Sequence, residues 1–352
     1  MLTVRVPLSS EKIHDFENYS NWVRNNSNNL NLTDYWEDHS NKIIYKADSN
    51  AITFSGESGF YFPRPFSIAN RLRRLASQLP IELFSLYNIF IRNQFHRHYD
   101  FLTTYTRAYE NIWKHDPLIR WDESSERINW KELNNPVLNF RTTKEMTRKW
   151  PGSKTHILSD NTIKSYFYLQ LIESQLPCSE KTTVCEIGPG TGNFTSLFYH
   201  HFKSKFFLID LPKTFFFSFA YLSQAIPSAR IALPNQIESD GFNPDDYDII
   251  MLTPHQTHLI PEKSIDLVVN IHSMQEMNME TINSYFDMID NIVKKGGHFF
   301  CSNRTEKIMS GKPIRFFDYP WHSNTKTIVF EPDPLFSQLT LSDIYIRLLQ
   351  YC

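Results

Sequence analysis

The chain has few glycines, and three of its 10 lie in one short run, Val184-Cys185-Glu186-Ile187-Gly188-Pro189-Gly190-Thr191-Gly192. The order is an apolar stretch, an acid, then glycines at every second position. Glycine lets a backbone turn sharply and come close to a ligand. A helix that starts at such a loop offers unpaired amides to a carboxylate or phosphate. The spacing also discriminates between ligands. A dinucleotide loop reads G-x-G-x-x-G, whereas here the third glycine comes one residue early and Asn193 stands in its place. A nicotinamide oxidoreductase is therefore disfavoured.

A second acid follows 20 residues after Gly190: Asp210 ends the apolar run Phe206-Phe207-Leu208-Ile209. In doubly wound folds an acid at that strand end accepts hydrogen bonds from ribose hydroxyls. The competing reading is a helix N-cap, since Pro212 and a helix follow. With the acid before the glycines, the arrangement resembles the cofactor loop of class I S-adenosylmethionine-dependent methyltransferases. That resemblance implies cofactor contacts from Glu186, Gly188, Pro189, Gly190, Gly192, Asp210, Leu211 and Asn270. The stretch Leu259–Val268 resembles the usual link between the third and fourth strands of that fold, which implies that His255 and Gln256 reach the adenine edge.

The run Asn270-Ile271-His272-Ser273-Met274-Gln275-Glu276-Met277 is more particular. With Asp210-Leu211-Pro212 and Tyr221-Leu222-Ser223, it resembles the sugar O-methyltransferase family of bacterial surface-polysaccharide loci, over roughly residues 155–305. The resemblance implies transfer of a methyl group to a hydroxyl of a sugar or nucleotide-linked sugar. The motif lacks the Asn/Asp-Pro-Pro-Tyr/Phe of enzymes that methylate nitrogen on DNA bases or protein glutamine. His272 and Ser302-Asn303-Arg304 stand where metal-dependent relatives carry acids, so an oxygen-rich site for Mg²⁺ is not evident.

A sugar hydroxyl is a poor nucleophile while protonated, and a general base adds roughly 10²–10⁴-fold to such a reaction. His272 is the first candidate, because open α/β sheets bind ligands at the carboxyl ends of their strands and imidazole titrates near neutral pH. Glu276 is the second, either orienting His272 or binding a substrate hydroxyl; its competing role is charge complementarity at a helix N-terminus. Arg304 is placed to bind a phosphate or carboxylate on the acceptor. Tyr319, Trp321 and His322 form a late aromatic loop expected to cover the acceptor, although aromatic loop residues more often simply pack.

These residues need a scaffold. From Asp160 the pattern alternates: helices over Asp160–Gln175, Phe194–His201, Lys213–Ala225 and Met279–Val293, and strands over Thr182–Ile187, Lys205–Ile209, Asp248–Leu252, Ile265–Ile271 and Gly297–Ser302. Two further strands are expected at Thr327–Phe330 and Ser342–Leu349. Alternation of this kind predicts a Rossmann-like α/β fold with a mostly parallel seven-stranded sheet and right-handed crossovers. Upstream, residues 1–60 are polar and Asn-rich, with Trp22, Tyr35 and Trp36 as docking points. Helical spacing follows at Ile68, Leu72, Leu75 and Leu79 and over Ile81–Tyr109; residues 110–150 are broken by prolines and carry four tryptophans. Two domains are expected: a mainly helical cap over 1–150 that shapes the acceptor pocket, and a methyltransferase domain over 151–352.

Composition excludes other classes. The formal net charge is −2 and no long Lys/Arg run occurs, which argues against nucleic acid. Arg64, Arg71, Arg73 and Arg74 read as a solvated helix face. Cys178, Cys185, Cys301 and Cys352 show no CxxC or Cys/His ligand spacing, as expected in a reducing compartment and without a structural metal. No signal-peptide core or apolar stretch of about 20 residues is evident. The expectation is a cytoplasmic enzyme using S-adenosylmethionine on a small-molecule or glycan acceptor, with self-association as a homo-oligomer left open. Rival readings are a methyltransferase acting on a natural product or a nitrogen, and an inactive binding module that keeps the fold.

Overall fold

The computed structural model describes residues 2–26, 43–56, 121–122, 127–128, 160–309, 311–338 and 343–352. Its centre is an eight-stranded sheet. In chain order the elements are α2 (Asp160–Gln175), β4 (Thr183–Ile187), α3 (Asn193–Phe202), β5 (Lys205–Ile209), α4 (Phe215–Ala225), β6 (Ile231–Ala232), α5 (Pro234–Ile237), β7 (Ile249–Leu252), β8 (Ile265–Ile271), α6 (Met279–Ile292), β9 (Val293–Arg304), the hairpin β10 (Glu306–Met309) and β11 (Lys312–Arg315), then β12 (Thr325–Pro332), α7 (Pro334–Gln338) and β13 (Ile344–Tyr351).

Across the sheet the order is β12-β13-β9-β8-β4-β5-β7-β6. Strands β9 through β6 are parallel, β13 runs antiparallel to β9, and β12 runs antiparallel to β13. The central strands are apolar along their length because both faces are covered. Their residues alternate between two cores, as a period of two requires. Val184, Phe206, Leu208, Leu267, Val269 and Phe300 face the layer of α2, α3 and α4. Cys185, Ile187, Phe207, Val268, Phe299 and Cys301 face α6. Helix α6 places Ile282, Tyr285, Phe286, Ile289 and Ile292 on one stripe, and Asn278 caps it by accepting from the Thr281 amide at 2.8 Å.

The eighth strand is the two-residue β6, too short to leave a periodic signal. The other strand and helix expectations within residues 160–352 are met to within a few residues at each end.

A mainly helical N-terminal region is expected over residues 1–150. Its described part is a three-stranded antiparallel sheet, β1-β3-β2, from β1 (Leu2–Pro7), β2 (Ile43–Asp48) and β3 (Ala51–Gly56), crossed by the one helix α1 (Ser10–Asn26). Helix α1 buries Ile13, Phe16, Tyr19 and Val23 at helical spacing. Val6, Phe16, Tyr19, Val23, Ile52 and Phe54 join the same core as α2, α3 and α4. Phe16 meets Phe216 of α4 with ring centroids 5.2 Å apart. Trp22, expected to dock, does so: its indole donates to Glu238 at 3.1 Å. The helical spacing read over residues 68–109, the tryptophans at 113, 130 and 150, Tyr35 and Trp36 lie outside the described residues, as do the arginines at 64, 71, 73 and 74. A two-residue ladder joins Trp121–Asp122 to Arg127–Ile128. Among the described residues no helix is long and apolar enough to cross a membrane.

Candidate active site

The site lies at the carboxyl ends of β4, β5, β8 and β9, which hydrogen bonds stitch together. The Gly188 amide donates to the Ile209 carbonyl at 2.8 Å, the Asp210 amide to the Leu252 carbonyl at 3.3 Å and the His272 amide to the Ser302 carbonyl at 2.7 Å. The loop after β4 holds Gly188, Gly190 and Gly192 at φ of +72°, +58° and +86°. These values favour glycine. A Cβ on Gly188 would fall 2.2 Å from the Ser273 hydroxyl oxygen, and one on Gly192 3.0 Å from Leu222, whereas one on Gly190 would meet nothing within 4 Å. Two glycines are thus needed for packing, and the third opens onto space.

Gly190 is pinned on both sides. Its amide donates to Asp210 Oδ2 at 3.0 Å, and its carbonyl accepts from the Ser218 hydroxyl. Asp210 Oδ1 accepts from the Leu211 amide at 2.7 Å. Pro189 accepts from the Gly192 amide at 2.9 Å and closes the turn. Glu186 is buried and accepts from the Thr195 hydroxyl in the first turn of α3. Burial pushes the Glu186 carboxyl up to about 7, opposed by the Thr195 bonds and reinforced by the charge of Asp210. Burial likewise pushes Asp210 up to about 7, against hydrogen bonds from Leu211, Gly190 and Thr214, and the charge of Glu276 adds to the rise.

Several expected residues are committed to the protein itself. Asn270 is fully buried: its amide donates to the Ile187 carbonyl at 2.9 Å and to Ser273, and its oxygen accepts from Asn303 at 2.8 Å. Gln256 accepts from the Thr253 amide at 3.0 Å and its hydroxyl at 3.1 Å, and donates to Pro234 and Glu238. That leaves it no group for an adenine, while its neighbour His255 is exposed. Glu276 does not orient His272. It pairs with Lys307 of β10 at 3.0 Å, from a short 3-10 turn rather than a helix start.

The expectation for the late aromatic loop is corrected. Tyr319 and Trp321 belong to the core on the α6 face of the sheet. Trp321 donates to the Phe316 carbonyl at 3.0 Å and stacks under Arg347 at 4.5 Å. His322 pairs with Asp290 of α6 at 2.8 Å. His272 sits on the opposite face, against Tyr168 and Phe336. The sheet separates the two, so the loop does not cover His272. Arg304, at the end of β9, is half-exposed and 3.4 Å from Asp343.

His272 adopts φ +61°, a left-handed backbone rare for a residue with a side chain. Its Nε2 lies 3.3 Å from the Tyr168 hydroxyl. That hydroxyl donates to Asp333 Oδ2 at 2.5 Å and accepts from Ser302 at 3.0 Å. Burial holds the imidazole well below its usual pKa, with the charges of Lys164 and Arg304 adding to the effect. The ring is therefore neutral around pH 7. Sequence reasoning missed Tyr168, Ser302 and Asp333. The last leaves a weak trace as a helix N-cap before Pro334: its Oδ1 accepts from the Phe336 amide at 3.1 Å.

A family model described as a methyltransferase domain matches residues 161–342, just over half of the 352-residue chain. The chain belongs to that methyltransferase family. No curated protein matches its sequence. Among solved structures it is similar to a geranyl diphosphate methyltransferase in complex with GPP and sinefungin, at 11% identity and a TM-score of 0.39 over 57% of this chain and 84% of that one. It is also similar to an S-adenosylmethionine-dependent methyltransferase from Mesorhizobium loti, at 14% identity and 0.35 over 51% and 96%. A SAM-dependent methyltransferase from Aquifex aeolicus stands at 8% identity and 0.34 over 52% and 89%.

This methyltransferase uses S-adenosylmethionine as its cofactor. Its own residues fit that group. The charge of Asp210 adds to the cost of ionising buried Glu186, a repulsion that a cationic ligand relieves, and the open face of Gly190 lets a ligand approach the loop backbone. Among the described residues no cluster of three or more His, Cys, Asp or Glu is placed to hold a metal ion.

Proposed function

We propose that this methyltransferase transfers a methyl group to a hydroxyl on a sugar or sugar-containing acceptor, with His272 as general base. The observation that carries the reading is how the family motif is used. Asn270 and Ser273 both donate to the Ile187 carbonyl, so they tie the His272 turn to the start of the glycine loop. Tyr221 and Leu222 of the second motif support that loop from α4, through the Ser196 hydroxyl at 3.2 Å and the face of Gly192. The residues that resemble the sugar O-methyltransferases are thus the ones that hold a neutral imidazole beside the cofactor loop.

When bound, S-adenosylmethionine supplies an electrophilic methyl group on a sulfonium sulfur. Glu186, Gly188, Pro189, Gly190, Gly192, Asp210 and Leu211 would hold it, with Asp210 as a hydrogen-bond acceptor for its hydroxyl groups and Gly190 leaving room for its approach. Asn270 acts one step back, by fixing the loop and the turn. His272 would take the proton of the acceptor hydroxyl. Positioning supplies much of the remainder, as fixed geometry is worth roughly 7–11 kcal/mol in model systems. Arg304 at the rim binds an anionic group on the acceptor.

The experiment is methyl transfer from radiolabelled S-adenosylmethionine to a panel of nucleoside-diphosphate sugars, free alcohols and amines. Label on the sugars, lost at least 100-fold in His272→Ala with cofactor binding kept, is the expected result. Label on the amines alone, or near-normal turnover in His272→Ala, refutes the reading.

A further inference from the structure

The hydroxyl of Tyr168 is a three-way junction. It is fully buried in α2 and touches Asp333 before α7, Ser302 at the end of β9 and His272 at the end of β8. A phenol has one hydrogen to give. That hydrogen goes to Asp333, whose carboxylate is also fully buried and accepts from the Phe336 amide on its other oxygen. Ser302 donates into the phenol oxygen. With the hydrogen spent, the 3.3 Å approach of His272 Nε2 is a hydrogen bond only if Nε2 carries the proton.

We infer that Tyr168 is a positioning residue that locks His272 in the Nε2–H tautomer and leaves the lone pair on Nδ1 to take the acceptor's proton. This assignment rests on His272 being the base. The tautomer of a histidine is set by the bond its other nitrogen makes. Here that partner is a tyrosine which passes on the demand of a carboxylate two hydrogen bonds away in the chain His272–Tyr168–Asp333. Once Nδ1 has gained a proton, both ring nitrogens bear hydrogen and the ring is cationic. The Nε2–H bond to a phenol polarised by Asp333 then strengthens, as bonds to charged groups do. The proton moves from the acceptor oxygen to Nδ1, and none need leave Tyr168 or Asp333. Burial pushes the Asp333 carboxyl up only to about 6, so the direction of the chain holds at neutral pH.

The left-handed backbone of His272 supports a built arrangement. It is strained for a residue with a Cβ, and the hydrogen bond from the His272 amide to the Ser302 carbonyl at 2.7 Å holds it there. Ser302 therefore grips the turn by its carbonyl and the junction by its hydroxyl. Phe300 and Phe336 pack against Tyr168 and His272 at 5.4 and 5.3 Å and keep water from competing.

The test is ¹⁵N NMR of the His272 ring in the full-length protein saturated with S-adenosylhomocysteine, at pH 7.5, in wild type and Tyr168→Phe. The expected wild-type spectrum shows the proton on Nε2 alone, and Tyr168→Phe shifts the ring to a mixture of tautomers. A wild-type ring protonated on Nδ1, or a Tyr168→Phe ring that keeps the single Nε2–H form, overturns the inference. The wild-type measurement stands even if the variant does not fold. It also separates two failures: near-normal turnover in His272→Ala would remove the base, whereas a wrong tautomer would remove only the positioning role.

Discussion

The amide of Gly190 donates to the carboxylate of Asp210 at 3.0 Å, so the apex of the glycine loop and the acid of the next strand form one unit. The bond joins β4 and β5, which pair in parallel from Thr183↔Lys205 to Ile187↔Ile209. It places the one glycine of the loop with open space above it beside a carboxyl group that burial pushes up to about 7.

That unit predicts a pH dependence for cofactor binding. Both Glu186 and Asp210 titrate at about 7 in the free protein, raised chiefly by burial. A ligand that donates ribose hydroxyls and carries positive charge prefers the ionised acids. Its affinity is full above about pH 7 and falls as pH drops through that value, by up to about tenfold per unit for each group that must lose its proton. Calorimetry with S-adenosylmethionine from pH 5.5 to 8 reads this directly, and Asp210→Asn flattens the part due to that residue. A flat wild-type profile would count against ionised acids at the cofactor.

The two ends of the loop separate stability from binding. Gly190→Ala costs roughly 1–2 kcal/mol for its left-handed backbone and meets no protein atom. Gly188→Ala pays the same strain and also drives into Ser273, adding about 1–3 kcal/mol of overpacking. Thermal unfolding therefore ranks Gly188→Ala well below Gly190→Ala. Cofactor binding by Gly190→Ala still falls at least tenfold, because the new methyl group occupies the approach. Equal binding by wild type and Gly190→Ala would place the ligand elsewhere.

Asn270 is expected to act as scaffold. Asn270→Ala leaves the Asn303 amide and the Met274 amide without their buried acceptor. Each such orphan costs about 1–3 kcal/mol, and denaturant unfolding is expected to lose about 2–4 kcal/mol. A stable variant that had lost only its cofactor would instead make Asn270 a direct contact.

The N-terminal module is expected to be part of the folding unit. Phe16 is 1% exposed and meets Phe216, Tyr45 and Phe54. Phe16→Ala is expected to cost about 3–5 kcal/mol. Its neighbour Tyr19 donates to the Pro212 carbonyl at 2.8 Å, two residues beyond Asp210. The same variant is therefore expected to weaken S-adenosylhomocysteine binding at a temperature where it remains folded. A second, separate unfolding transition would show the module to be independent.

Much of the fold was legible because its signals are local. Helix α2 and strands β5 and β8 fall where apolar spacing and flanking breakers put them, Pro177 closing the first and Asp210 the second. The antiparallel run of β13 against β9 left no such mark, since strand direction depends on partners and not on period. The aromatic run Tyr319-Pro320-Trp321-His322 was visible as chemistry but not as place. A strand's two faces look alike in sequence, and only packing on α6 assigned the run to the face away from His272.

The sequence by itself determined the cofactor loop and its acid. Glycine spacing, the preceding Glu186 and an acid at the next strand end are local, and their geometry follows from a few consecutive backbone angles. The tertiary structure alone decided what surrounds His272. Tyr168 lies 104 residues before it, and Asp333 lies 165 residues after Tyr168. They meet because strand order carries the ends of β8 and β9 to α2 and α7, and no spacing rule reaches across such separations.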